Sequence, residues 1–288
     1  MRFVAFNQAG EARLGVVSGD TVIDLAEAAP GLPRDLGALL HRGEQGLAAA
    51  ANAARSAKPS AHRPLEGLRY LPPIQNPGKI MCLGLNYVDH AAEGGQDKPD
   101  YPNFFMRCTT SLVPHGEAIL RPRVSTKLDY EAELVAVVGR QARNVSVADA
   151  LPVIAGYACF NDASIRDYQR KTPQWTIGKN FDRTGGFGPF FVTADEVPPG
   201  AAGLGIQSRL NGQIMQNANT ADMIFPVAET VALLTECMTL EPGDLLVMGT
   251  PAGVGFARKP PVWMKAGDRI DVSIEGIGTL SNPIADGP

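Results

Sequence analysis

Long apolar runs are missing from this chain: nowhere in its 288 residues does one approach the roughly 20 residues needed to span a bilayer. Met1-Arg2 leads directly into a strand-like segment, with no apolar leader, so neither secretion nor membrane insertion is expected. Cysteine is scarce. Cys82, Cys108, Cys159 and Cys237 are far apart and show no C-x-x-C spacing, so they read as reduced core residues of a cytoplasmic protein. An excess of one charge is also lacking. Lys and Arg total 26 against 30 Asp and Glu, a net charge of -4, and the charges are scattered rather than gathered in runs. Nucleic acid and anionic membrane are therefore not expected as partners. There is no internal repeat and no low-complexity tail. What remains, 44% hydrophobic and 19% charged residues, is an ordinary globular composition, long enough for one large domain and a smaller one.

Residues 1–25 read as a β-meander, with strand-like Arg2–Phe6, Arg13–Val17 and Thr21–Leu25 separated by glycine-containing turns. From Asp35 to about Ala57 the chain is rich in Ala and Leu and predicts one or two helices. Three prolines and a glycine within 72–78 argue for an extended linker, so the expected division is a small N-terminal α/β domain over 1–74 and a catalytic domain over 75–288. Beyond Lys79 short β-like runs dominate, punctuated by Gly and Pro, with helices expected over 147–153, 164–169 and 226–238. The fold class is thus α+β, predominantly β.

The densest chemistry lies in Lys127-Leu128-Asp129-Tyr130-Glu131-Ala132-Glu133-Leu134-Val135-Ala136-Val137-Val138. As one strand it puts Asp129, Glu131 and Glu133 on the same face as Val135 and Val137. Glu131 and Glu133 would then lie about 6.6 Å apart at their Cα atoms. Two unpaired acids running into a buried face are costly, and a bound cation resolves the conflict. An exposed edge strand with solvated acids is the alternative. The segment Gly156–Gln169 is an apolar strand ending in polar groups, Asn161-Asp162-Ala163-Ser164-Ile165-Arg166-Asp167-Tyr168-Gln169. Asp162 there is either a helix cap or a third carboxylate. Three carboxylates without a His or Cys pattern suit a hard cation.

In Gly84–Gly95, Asn86 could cap and Gly94 end a short helix that puts His90 and Glu93 on one face, the form of a general base with its orienting partner. Gly94-Gly95 and the polar stretch after it suggest a mobile lid. Lys179 stands in a nearly uncharged run, Trp175–Phe181, where an inward ammonium could stabilise an enolate; a surface lysine with a buried stem is the plainer reading. The turn Gly249-Thr250-Pro251-Ala252-Gly253-Val254-Gly255 offers backbone amides to a carboxylate but lacks the pattern of a P-loop.

Taken together and in this order, these segments resemble the fumarylacetoacetate hydrolase family over residues 75–285, with the N-terminal part similar to the small domain of longer bacterial members. The resemblance implies a mixed β-sandwich roll assembled as a homodimer. It implies that Glu131, Glu133 and Asp162 hold Mg²⁺ or Mn²⁺, and that His90, Glu93 and Lys179 are catalytic. It also implies that Arg166, Gln169, Gly249 and Thr250 meet a small 2-oxo acid substrate. One departure stands out, since many relatives carry Lys and Pro at the positions of Arg107 and Cys108. The expected activity is hydrolysis of a C–C bond in an acylpyruvate or related β-dicarbonyl acid. Decarboxylation of oxaloacetate, or decarboxylation and isomerisation of a hydroxymuconate-type diacid from aromatic catabolism, is the alternative, and binding without turnover a third.

Overall fold

The structure, a computed structural model, describes all 288 residues. A twelve-stranded mixed sheet runs through the molecule. Its order from one edge is His62–Pro64, Thr21–Asp24, Glu11–Ser18, Arg2–Gln8, Gly185–Thr193, Ile154–Asp162, Ala132–Val138, Leu245–Val247, Ile80–Gly84 and Asn103–Met106. Arg69–Tyr70 and Leu112–Pro114 pair beside this path. A five-stranded sheet, ordered Gln213–Asn219, Gly205–Leu210, Arg269–Ile274, Gly278–Asp286 and Ile119–Arg121, packs against it. Strands with a minority of short helices agree with the α+β, predominantly β class expected from the sequence. The expected N-terminal meander is present, and its first strand pairs antiparallel with Gly185–Thr193 through Phe3 opposite Phe191. The boundary proposed at 74/75 therefore separates two parts that share one sheet. No helix is long and apolar enough to cross a membrane.

The strand Ala132–Val138 is buried on both faces, as its apolar sequence requires. Leu134, Ala136 and Val138 join a core with Ile206, Val272 and Leu280 of the second sheet and Val231 and Leu234 of helix Val227–Cys237. Val135 and Val137 face the other way, with Phe160, Phe187, Phe191 and the N-terminal Phe3, Leu36 and Leu39. The predicted single strand from Leu128 is broken at Tyr130 and Glu131, however. Leu128–Asp129 pairs with Ser164–Ile165 in a separate two-stranded ladder, whereas pairing with Asn161 begins at Ala132. Two of the four cysteines also depart from expectation: Cys82 and Cys159 are buried, but Cys108 and Cys237 are exposed.

Candidate metal centre and active site

Register brings the acids together. Glu133 lies opposite Phe160 and Ala132 opposite Asn161, so Asp162, two residues beyond Phe160, emerges on the face of Glu133. The Asp162 N–H donates to the Glu131 carbonyl at 2.9 Å, which ties the ends of the two strands. Carboxylate oxygens of Glu131, Glu133 and Asp162 lie within 4.8 Å of one another, and all three residues are buried. Three acids this close, in low dielectric, need positive charge.

Part of that charge is the protein's own. Lys179, on the short helix Thr176–Lys179 and only 2% exposed, places Nζ 2.5 Å from Asp162 Oδ2 and 2.5 Å from Glu131 Oε2. Burial alone would lower its pKa, but Asp162 and Glu131 outweigh burial and raise it, so Lys179 stays an ammonium. Arg166 donates through Nη2 to Glu131 Oε1 at 2.6 Å and through Nε to Asp129 Oδ2 at 2.8 Å. Burial pushes the Glu131 carboxyl up, yet Arg166 and Lys179 together hold it well below the usual carboxylate range. Glu133 has no cation of its own. It accepts one hydrogen bond, from the Gly249 N–H at 2.6 Å, and burial with Asp162 and Glu131 beside it raises its carboxyl well above the usual range. An all-carboxylate donor set in which one acid lacks a counter-charge fits a hard divalent cation and does not fit zinc, which favours His and Cys.

Arg107, singled out in the sequence only as a departure, also belongs to the centre. Its Nη1 donates to Asp162 Oδ1, Nε to Ser111 Oγ at 3.1 Å and Nη2 to Thr184 Oγ1 at 2.8 Å. Its side chain is fully enclosed. A Cβ on Gly185, which pairs with Asp162, would press on this guanidinium at 3.0 Å, so a glycine there makes its room.

Across the cavity, helix Val88–Glu93 carries the expected pair. His90 Nδ1 lies 2.8 Å from Glu93 Oε1, and Glu93 Oε2 accepts the Gly253 N–H at 2.9 Å. With both carboxylate oxygens accepting, Nδ1 is the imidazole donor, which leaves the Nε2 lone pair free. Asn86 does not cap this helix, whose N-cap is Tyr87. Its buried amide instead clamps three chain segments, donating to the carbonyls of Phe225 and Met248 and accepting the Phe225 N–H.

The glycine-rich turn does offer its amides to carboxylates, but to those of the protein. Gly249 serves Glu133, Gly253 serves Glu93, and Gly255 with Phe256 serves Asp129 at 2.7 and 3.0 Å. Gly249 has φ +87°, and a Cβ there would lie 2.6 Å from that of Asn86, so glycine is required on both counts. One cavity of about 440 Å³ is lined by His90, Glu131, Glu133, Arg166, Gln169, Lys179 and Thr250. Glu93, Asp162 and Gly249 lie behind this lining, each bonded to a residue in it. All nitrogens of the Arg166 guanidinium bond to protein, Nη1 to Gln169 Oε1 at 2.9 Å. Gln169 Nε2 and the Thr250 hydroxyl proton stay available, Thr250 Oγ1 accepting from Gln216 at 2.7 Å.

Mixed sheets enclosing a carboxylate pit that suits a hard cation, faced by a His–Glu dyad, make an enzyme-type site. The fumarylacetoacetate hydrolase C-terminal family matches residues 79–285, and the chain belongs to that family. It is 38% identical to a mitochondrial oxaloacetate tautomerase of Xenopus laevis over 290 residues, covering 99% of this chain and 90% of that one. Among solved structures it resembles a fumarylacetoacetate hydrolase from Exiguobacterium antarcticum, with a TM-score of 0.86 at 32% identity and both chains fully covered. It also resembles a maleylpyruvate hydrolase from Sphingobium sp. SYK-6 in complex with manganese(II) ion and pyruvate, with a TM-score of 0.82 at 29% identity over the whole of both chains.

Proposed function

We propose that this protein is a divalent-metal-dependent enzyme that moves a proton at the carbon beside the oxo group of a 2-oxo acid, interconverting its keto and enol forms. The observation that carries the proposal is the partner-free Nε2 of His90 lining the same cavity as Glu131, Glu133 and Lys179. Glu131, Glu133 and Asp162 would hold Mg²⁺ or Mn²⁺, which would supply Lewis acidity and positive charge at the 2-oxo group. In the keto-to-enol direction His90 takes the proton from carbon at Nε2 and gives it to the 2-oxo oxygen, the reverse direction running the same transfers backwards, while Glu93 holds the ring and offsets the imidazolium charge. Lys179 keeps a fixed positive charge beside the developing oxyanion without having to reorganise. Gln169 Nε2 and the Thr250 hydroxyl donate to substrate oxygens, and Arg166 braces Glu131 and Gln169. The similarity to full-length oxaloacetate tautomerases supports this reading.

The activity expected first from the sequence, C–C hydrolysis of an acylpyruvate, is the second reading, supported by the resemblance to a maleylpyruvate hydrolase. It needs the same dyad to deprotonate water instead of carbon. Deuterium incorporation at C3 of oxaloacetate, and release of pyruvate from acetopyruvate, separate the two when followed by NMR with Mn²⁺. Metal-dependent exchange without pyruvate release is the expected result. Pyruvate release faster than exchange would replace the first reading with the second, and neither reaction would overturn both. We also propose the homodimer implied by the family resemblance; a sedimentation mass of one chain at micromolar concentration would contradict it.

A further inference from the structure

Helix Arg166–Gln169 and its C-cap Arg170 place residues 166, 169 and 170 on one helical face, because i, i+3 and i+4 are neighbours. That face forms one wall of the cavity, and all three residues line it. The wall runs outward from the acids: Arg166 and Gln169 are buried, with Arg166 on Glu131, whereas Arg170 is exposed. Both guanidinium groups lie on the ring of Phe256, Arg166 at 4.5 Å and Arg170 at 4.3 Å from its centroid. Their pairing differs. Arg166 and Lys179 each bind two carboxylates, but Arg170 lies within salt-bridge distance of none. Asp129, whose charge acts on Arg170, is already taken by Arg166 and the amides of Gly255 and Phe256. Apart from the two arginines, the acids, Lys179 and His90, the rest of the lining is uncharged, with Leu83, Phe105 and Trp175 apolar and Gln96 and Asn103 polar. A cation held on an aromatic ring at the mouth of a cavity, with no protein anion to satisfy it, is a binding position for an anionic group of the substrate.

We infer that Arg170 recognises a second carboxylate at the far end of the substrate and so sets a preference for 2-oxo dicarboxylic over 2-oxo monocarboxylic acids. The inference rests on the 2-oxo acid reading of the site and adds the chemistry of the substrate tail. Phe256 keeps the guanidinium over the cavity, and the carboxylate closes a charge pair that the folded protein leaves open. A methyl group at the same position would leave Arg170 unpaired and gain nothing from it.

Oxaloacetate and 2-oxobutyrate test this directly, since they share a four-carbon 2-oxo acid skeleton and differ only in a terminal carboxylate against a methyl. Their dissociation constants are measured by calorimetry on the Mn²⁺-loaded wild type, Arg170→Met and Arg170→Lys, and their C3 deuterium exchange by NMR. Wild type should bind oxaloacetate at least tenfold more tightly than 2-oxobutyrate. Arg170→Met should cut that ratio at least tenfold, with the kinetic loss in KM rather than kcat, and Arg170→Lys should fall between. A ratio that stays within threefold of wild type in Arg170→Met, or a wild type that does not prefer the dicarboxylate, overturns the role of Arg170. Binding with the expected ratios but no exchange in wild type would instead sink the proton-transfer reading and leave the recognition of the dicarboxylate standing.

Discussion

Replacing Lys179 by methionine removes the one ammonium that bridges Glu131 and Asp162, and keeps a similar volume in the pit. The two carboxylates it leaves are 3% and 0% exposed, so water replaces its charge poorly. Breaking a buried ion pair by deleting one partner costs about 3–5 kcal/mol. In a chain of this size each kcal/mol lowers Tm by about 2–3 °C, so the metal-free variant should melt about 6–15 °C below wild type. A divalent cation places its charge among the same carboxylates, so saturating Mn²⁺ should raise the Tm of the variant more than that of wild type and close at least half of the gap. Differential scanning calorimetry of both proteins, in EDTA and in millimolar Mn²⁺, reads all four values. A metal-free Lys179→Met protein within 2 °C of wild type would refute the reasoning, because the acids would then not depend on Lys179. So would a gap unchanged by Mn²⁺, because the metal would then not sit where Lys179 donates.

The His90–Glu93 dyad predicts that His90→Gln loses at least 100-fold of metal-dependent C3 exchange, the scale of a lost general base, while its Mn²⁺ affinity stays within threefold. Loss of metal binding in that variant would make His90 part of the cation site. The thiols divide by burial: at pH 8, iodoacetamide should modify the exposed Cys108 and Cys237 and spare Cys82 and Cys159. Burial pushes the Cys159 thiol up to about 12, so at pH 8 only about one molecule in ten thousand carries its reactive thiolate. Cys82 is raised as well, chiefly by burial. Intact mass should show two adducts on the folded chain and four after denaturation; four on the folded chain would contradict this burial.

Much of the site was legible because its chemistry is local. Glu133 stands in one apolar strand with Glu131 just ahead of it, Asp162 closes another, and three-residue spacing pairs His90 with Glu93. What local pattern could not supply was partners distant in sequence. Alternation alone ran the strand through Asp129, which actually turns away to receive Arg166 and the amides of Gly255 and Phe256, more than a hundred residues on. Arg107 reaches Asp162 across 55 residues, and only its enclosure shows that it belongs to the centre. The free cysteines show the same limit: the absence of any paired spacing read all four as core residues, yet the fold leaves Cys108 and Cys237 at the surface. Asn86, a plausible cap by type, is claimed instead by Phe225 and Met248. The sheet through the N-terminal meander likewise depends on Arg2–Gln8 meeting Gly185–Thr193, a pairing no local signal encodes.

The proposed cation site depends most on Glu133, the one carboxylate of the triad without a counter-charge in the protein. Titration of Mn²⁺ into metal-free wild type and Glu133→Gln, followed by the loss of the free-ion electron paramagnetic resonance signal, measures what that acid does. Wild type should take up one Mn²⁺ per chain, and Glu133→Gln should bind at least 100-fold more weakly while melting within about 2 °C of wild type in EDTA, since the variant loses a charge that the metal-free pit does not favour. Equal Mn²⁺ affinity in the two proteins would mean that the ion does not sit among these acids, and the proposed chemistry would fall with it.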